Sequence, residues 1–288
     1  MVKIIKKILK KFLPNLLFIQ LQNLYQYVSN STKKIYRTLR FFIRTRNYDL
    51  SKDLDYNESL FKLFNFDIKK IKLQLNSLNF QYHDPELSWH YHLFTGLKQY
   101  FGNKKINILE IGTHRGNFSN FISKVYSESQ IITIDLDEND NQFVNYFDRG
   151  LKKKLDELLK LRKKNLDRKN IKFIKLNSLN IKKYFDKKFD LIWVDGDHLN
   201  PQVTIDIINS LDLLNNDGII CTDDVIMDIK FKKSKYLSNE GFITLKHLED
   251  NGLIKNYYLN KRVRLKNANL KKYVSVSTFK DNSKFIIK

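Results

Sequence analysis

Cysteine is almost missing from these 288 residues: Cys221 stands alone, which excludes a disulfide framework and fits a reducing compartment such as the cytoplasm. Proline occurs only at Pro14, Pro85 and Pro201, and glycine nine times, so no Pro- or Gly-rich linker divides the chain. Alanine occurs once, at Ala268. No stretch reaches the ~18 consecutive apolar residues that a membrane-spanning helix needs. Acid is scarce relative to base, 31 Asp and Glu against 52 Lys and Arg, for a net charge of +21. What is plentiful is apolar: 42% hydrophobic residues supply a core and exclude global disorder.

The basic excess sits in two stretches. Residues 1–50 carry 11 Lys and Arg against one acid, residues 151–188 carry 15 against four, and the remainder holds 26 of each sign. Such charge suits nucleic acid or an anionic membrane surface. Only 10 of the 52 basic residues are Arg, however, and bidentate recognition of phosphate or guanine favours Arg. With abundant Asn, Ile, Phe and Tyr, the lysine excess reads as AT-rich codon usage, and a nucleic-acid partner is not expected.

The first residues have their own pattern. Ile4, Ile5, Ile8, Leu9, Phe12 and Leu13 recur at helical spacing, with Lys6, Lys7, Lys10 and Lys11 on the other face. Residues 2–13 thus form a short basic amphipathic helix ending near Pro14. It suits peripheral contact with the inner membrane surface, a helix packed on the chain's own body or a partner, or an uncleaved anchor. A homo-oligomer contact through the N-terminal helices is as compatible as a membrane one. Residues 1–80 read as a helical N-terminal extension and 81–288 as the main domain. His83, Trp89, His90 and His92 crowd the segment before Gly96; His90 and His92 lie two apart, on different helix faces, and make a poor metal pair.

From residue 105 strands and helices alternate. Ile106–Ile111, Gln130–Ile134, Ile171–Leu176, Phe189–Val194 and Gly218–Thr222 read as strands, Asn117–Tyr126 and Pro201–Leu214 as helices, and Asn215–Gly218 as a turn. The expected fold class is α/β, a doubly wound and mostly parallel sheet. Leu253–Arg264 and Tyr273–Phe279 predict an antiparallel C-terminal hairpin, and Ser238 a cap for a helix reaching about Asn251. The Lys-rich stretch 151–169 reads as a solvated amphipathic helix. Residues 225–237, basic and polar, suit a loop over the site.

The acidic motifs all fall at strand carboxyl ends, where ligands bind in such sheets. Glu110 precedes a turn containing Gly112 and Gly116. Position 114 is His, which breaks the Gly-x-Gly-x-x-Gly dinucleotide fingerprint, and a carboxylate before the turn would repel pyrophosphate. It suits a ligand with a positive amino group instead. Asp135, 25 residues further on, can accept both hydroxyls of a ribose. A nucleoside with a cationic amino-acid tail is S-adenosylmethionine. Asp195, Asp223 and Asp224 end two strands expected to be adjacent; three carboxylates without sulfur favour a hard divalent ion such as Mg²⁺. Asp197 can reach the same crevice as a general base, with His198 the competing candidate.

These blocks resemble the class I S-adenosylmethionine-dependent methyltransferases: Ile108-Leu109-Glu110-Ile111-Gly112-Thr113-His114-Arg115-Gly116, then Asp135, then Phe189-Asp190-Leu191-Ile192-Trp193-Val194-Asp195-Gly196-Asp197-His198. With Asp217-Gly218-Ile219-Ile220 and Asp223-Asp224, the chain is similar to the metal-dependent sugar O-methyltransferases of the macrocin and novobiocin-pathway type. The resemblance implies a Rossmann-like methyltransferase fold and methyl transfer to a hydroxyl of a sugar or related small-molecule or glycan acceptor. It implies that Glu110, Gly112, Thr113 and Gly116 line the methionine end of the cofactor. Asp135 would hold the ribose, and Asn177 and Ser178 would lie near the adenine. Asp195, Asp223 and Asp224 would bind the metal, and Asp197 would take the proton. Two alternatives keep part of the pattern: a non-catalytic nucleotide-binding or membrane-tethered module, and an RNA methyltransferase. Against base methylation stands the absence of an Asn or Asp followed by two prolines and an aromatic residue.

Overall fold

The computed structural model describes residues 49–78, 88–145, 150–263, 270–282 and 285. The amphipathic segment 2–13 and His83 lie outside the described residues. Three helices come first, α1 (Leu50–Leu63), α2 (Ile68–Ser77) and α3 (Trp89–Phe101). Then follow β1 (Asn107–Ile111), α4 (Asn117–Val125), β2 (Gln130–Asp135), α5 (Asn141–Asn145), α6 (Lys152–Leu166) and β3 (Ile171–Lys175). After a 3₁₀ turn at Ser178–Asn180 come α7 (Ile181–Tyr184), β4 (Phe189–Val194), α8 (Gln202–Asp212), β5 (Leu214–Val225), α9 (Glu240–Asp250), β6 (Ile254–Asn260) and β7 (Tyr273–Phe279).

The strands make one sheet in the order β3-β2-β1-β4-β5-β7-β6. β1 to β5 pair in parallel, while β7 lies antiparallel between β5 and β6. The doubly wound sheet and its antiparallel C-terminal hairpin are as the sequence predicts. Apolar runs rich in Ile become the buried strands because both faces are covered. Period-2 alternation then sorts the side chains. Ile108, Ile131, Leu191, Trp193 and Ile219 face α1 to α4, where Phe61, Ile71, Leu93, Phe94 and Phe121 meet them. Leu109, Ile111, Ile132, Ile134, Ile192 and Val194 face the opposite layer with Ile181, Phe185 and Phe189. Each such fully buried side chain contributes about 1.5–3 kcal/mol.

One detail differs from the sequence reading, and two others are filled in. The expected turn at 215–218 lies inside β5: Phe189 pairs with Leu214 and Leu191 with Ile219, so extra residues of β5 bulge out between two ladder positions. Of α6 only Leu158 and Arg162 are buried, one turn apart, leaving Leu151 and Leu161 exposed. Ser238 stands just before α9; its hydroxyl accepts the Glu240 amide at 3.2 Å and donates to the His198 carbonyl at 2.6 Å. Among the described residues no helix is long and apolar enough to cross a membrane.

Candidate active site

Gly112 follows β1 with φ +102°, and a Cβ there would lie 2.1 Å from the Asp195 carbonyl oxygen. The two strand ends meet because the Asp195 amide donates to the Ile111 carbonyl at 2.9 Å. Glycine is therefore required by close approach as well as by backbone angle. His114 (φ 48°) and Gly116 (φ 69°) complete a turn that delivers the N-terminus of α4 to the carboxyl end of the sheet.

Behind this turn lies a hydroxyl–carboxyl network. Glu110 is buried and accepts a short hydrogen bond from the Ser119 hydroxyl. The Thr113 and Thr133 hydroxyl oxygens are 2.6 Å apart, and the Ser119 hydroxyl is 3.4 Å from that of Thr133. Burial pushes the Glu110 carboxyl up to about 7, against the pull of the Ser119 and Thr133 hydroxyls. Glu110 and Thr113 thus sit at the expected turn with their side chains engaged in this inner network.

At the end of β2, Asp135 Oδ2 accepts the His114 amide (2.8 Å) and Arg162 Nη2 (2.9 Å), and Oδ1 accepts the Leu136 amide (2.9 Å). Arg162 also donates from Nε to the His114 carbonyl at 2.6 Å and lies 5.2 Å from the centres of both the Phe143 and Phe173 rings. Its Nη1 is buried without a hydrogen-bond partner among the described residues. Asn177 caps the 3₁₀ turn by accepting the Leu179 amide. The Ser178 hydroxyl accepts from Gln202 Nε2 at 2.7 Å, which lies equally close to Asp206 Oδ1. Burial pushes the Asp206 carboxyl up to about 6, against the hydrogen bonds of Ser178 and Gln202.

Asp195, Asp223 and Asp224 come together as expected, since Val194 of β4 is paired with Thr222 of β5. His198 Nε2 lies 3.8 Å from both Asp195 Oδ1 and Asp224 Oδ2. Asp197 Oδ1 accepts the Leu199 amide at 3.1 Å, shaping the same turn. Two lysines complete the cluster. The buried Lys261 ammonium donates to Asp223 in a short contact and to Asp224 Oδ1 at 2.9 Å, and Lys272 donates to Asp224 Oδ2 at 2.5 Å. Burial alone would lower Lys261, but Asp223, Asp224 and Asp195 outweigh it and raise it above the usual lysine range. Asp224 is held well below the usual carboxylate range: burial would raise it, and Lys261, His198 and Lys272 overcome that. Burial, then the Asp223 carboxylate, pushes Asp195 well up.

Where the Mg²⁺ site is expected, the structure holds a lysine ammonium. Lys261 stands between Asp223 and Asp224 and supplies there the positive charge that a hard ion would bring. Among the described residues no group of three His, Cys, Asp or Glu side chains is arranged to hold a metal ion. The carboxylates present do not fit a divalent ion while that ammonium is in place.

S-adenosylmethionine fits better. A carboxylate offers about four lone-pair positions, and Asp135 spends three, leaving one for a ribose hydroxyl. The buried Nη1 of Arg162 is a spare donor beside it. Sequence reasoning missed Arg162, Lys261, Lys272 and Asp206. Arg162 is the single arginine among the lysines of α6, a usable signal in so Lys-rich a chain. The two hairpin lysines carry none. His90, a poor metal partner by its spacing, is buried, and burial, then Lys261 and Arg262, push its imidazole well down against the pull of Asp224.

Residues 109–225 match a family model described as a methyltransferase domain, a segment running from β1 to the end of β5. No curated protein matches the chain. The SAH-bound methyltransferase PaMTH1 of Podospora anserina is similar at 18% identity over 73% of this chain and 88% of that one, with a TM-score of 0.47. An O-methyltransferase from Bacillus cereus in complex with SAH is similar at 16% identity over 80% and 100%, with a TM-score of 0.46. The O-methyltransferase TomG from Streptomyces achromogenes, in complex with SAM, is similar at 12% identity over 77% and 95%, with a TM-score of 0.45. These likenesses are of fold alone.

Proposed function

We propose that this chain is an S-adenosylmethionine-dependent O-methyltransferase acting on a hydroxyl of a sugar or related small-molecule or glycan acceptor. The observation that carries the reading is the packing of Gly112 against Asp195. It makes one continuous site of a turn suited to the cofactor and an acidic turn suited to a hydroxyl. When bound, S-adenosylmethionine supplies a methyl group already activated by a sulfonium charge. Gly112, Gly116 and the first amides of α4 line its amino-acid end, Asp135 receives a ribose hydroxyl, and Asn177 and Ser178 flank the base. The sugar acceptor rests on the likeness of the Asp195-to-Asp224 blocks to the sugar-methylating branch.

The proton of the acceptor hydroxyl goes to His198 Nε2, which has the ionised Asp224 carboxylate 3.8 Å away. Asp197, favoured on sequence alone, keeps the turn in shape through the Leu199 amide. Calorimetric titration with S-adenosylhomocysteine tests the cofactor: Asp135→Ala should lose binding that the wild type shows, and a folded wild type without binding ends the reading. With a methylated acceptor found by screening sugars, His198→Ala should slow turnover by about 10²–10⁴ while leaving cofactor affinity intact. If Asp197→Asn is the slower variant, the proton goes to Asp197.

A further inference from the structure

The acidic cluster contains its own cations. Lys261 leaves the end of β6 with its backbone fixed on both sides: its amide donates to the Lys272 carbonyl at 2.9 Å, and its carbonyl accepts the Trp89 amide at 3.1 Å. From that anchor the side chain runs inward, only 10% exposed, to end between Asp223 and Asp224. Lys272, just before β7, meets Asp224 as well. Three carboxylates thus face two ammoniums. An ammonium has three N–H donors, and Asp223 and Asp224 take two of those on Lys261. The third is left for an acceptor oxygen. A divalent ion entering here would have to displace a buried, tethered cation or share its carboxylates with it, and like charges that close repel strongly.

We propose that Lys261 is the resident cation of this site, so that the chain binds no divalent ion there, and that removing its ammonium uncovers a divalent-ion site formed by Asp195, Asp223 and Asp224. The inference deepens the proposed function, since it concerns the acceptor end of that same site, but its readout does not depend on turnover. Lysine in this position does part of what a Lewis-acidic ion does: it brings positive charge and a hydrogen-bond donor to the oxygen to be methylated.

The probe is Mn²⁺ alone, titrated into the full chain and followed by the loss of the free-ion electron paramagnetic resonance signal. Wild type should leave the signal unchanged, and Lys261→Ala should take up Mn²⁺ at least about tenfold more tightly. Asp223→Asn added to Lys261→Ala should abolish that uptake. Equal binding by wild type and Lys261→Ala overturns the proposal, as does no binding by either, or uptake that survives Asp223→Asn. Should Lys261→Ala fail to fold, Lys261→Met keeps the length of the buried chain and serves in its place. Should that variant fail as well, wild type decides: Mn²⁺ uptake that Asp223→Asn abolishes overturns the proposal, and an unchanged signal upholds its first half. S-adenosylhomocysteine titrated in parallel separates the two readings: its failure to bind sinks the enzyme, and Mn²⁺ bound equally by both proteins sinks only the resident lysine.

Discussion

Glu110 shows at the scale of one residue how a motif position can be occupied by an unexpected protonation state. Its ordinary value of 4.5 rises to about 7 because burial penalises the charge. The native state therefore holds this proton more tightly than the unfolded chain. Between the two values the unfolded chain has released the proton and the native state has not, so stability falls as pH rises. The loss is complete above the native value and amounts to about 3 kcal/mol. Glu110→Gln keeps the shape and the Ser119 partner without the titration. The decrease in urea-unfolding free energy between about pH 5 and about pH 8 should shrink by that amount in the variant. An unchanged decrease would show that Glu110 is not the group responsible. Glu110, Gly112, Asp135, Asp195, Asp223 and Asp224 were legible beforehand because acids and glycines at strand ends have few other reasons to be there. Lys261, Lys272 and Arg162 were not, because each acquires its role from a partner far away in the chain. Those pairs span 38, 48 and 27 residues, and lysine is 42 of the 52 basic residues of this chain.

At the scale of elements, α6 is more than a solvated basic helix. Its single buried cation, Arg162, ties α6 to the β1 turn and to the end of β2 at once, with the guanidinium lying between two aromatic rings. Lysine cannot bond both the His114 carbonyl and Asp135 in that planar geometry. Arg162→Lys should weaken S-adenosylhomocysteine binding and lower the thermal midpoint. Arg162→Ala, which strands the Asp135 charge, should cost about 3–5 kcal/mol in urea unfolding. A variant with wild-type stability and affinity would show that α6 merely rests against the site. The strands themselves were readable from apolar, β-branched runs. The bulge at 215–218 was not, because Asn, Asp and Gly in a row look the same in a turn and in a bulge.

Across the whole molecule, the helices before the sheet share its core. Phe61 and Ile71 of α1 and α2 are fully buried alongside Trp193 of β4. α1 also covers the sheet's outer strand: Asn57 donates to the Asn260 carbonyl and accepts the Asn260 amide, both at 2.9 Å, and Asp53 pairs with Lys271 at 2.7 Å. An open strand edge invites pairing with other chains, and a side chain that mimics a backbone partner closes it. Asn57→Ala leaves a buried amide and carbonyl unsatisfied and should cost about 2–5 kcal/mol, read as urea-unfolding free energy. It should also promote self-association detectable by light scattering; a loss of less than about 1 kcal/mol would mean that water replaces the side chain. The sequence announces a helical extension over residues 1–80, but does not say which surface its helices will cover, since the strand that α1 meets lies some 200 residues away.

The lysines of the acidic cluster bear on the order in which the protein is made. The carboxylates at 195, 223 and 224 leave the ribosome well before the ammoniums at 261 and 272 exist. A nascent chain that has already wound its parallel strands therefore holds these carboxyl groups without the two lysines that meet them in the folded protein. The C-terminal hairpin, when it docks, delivers both cations to them together, so the last part of the chain to be made completes the charge balance of the sheet's carboxyl end.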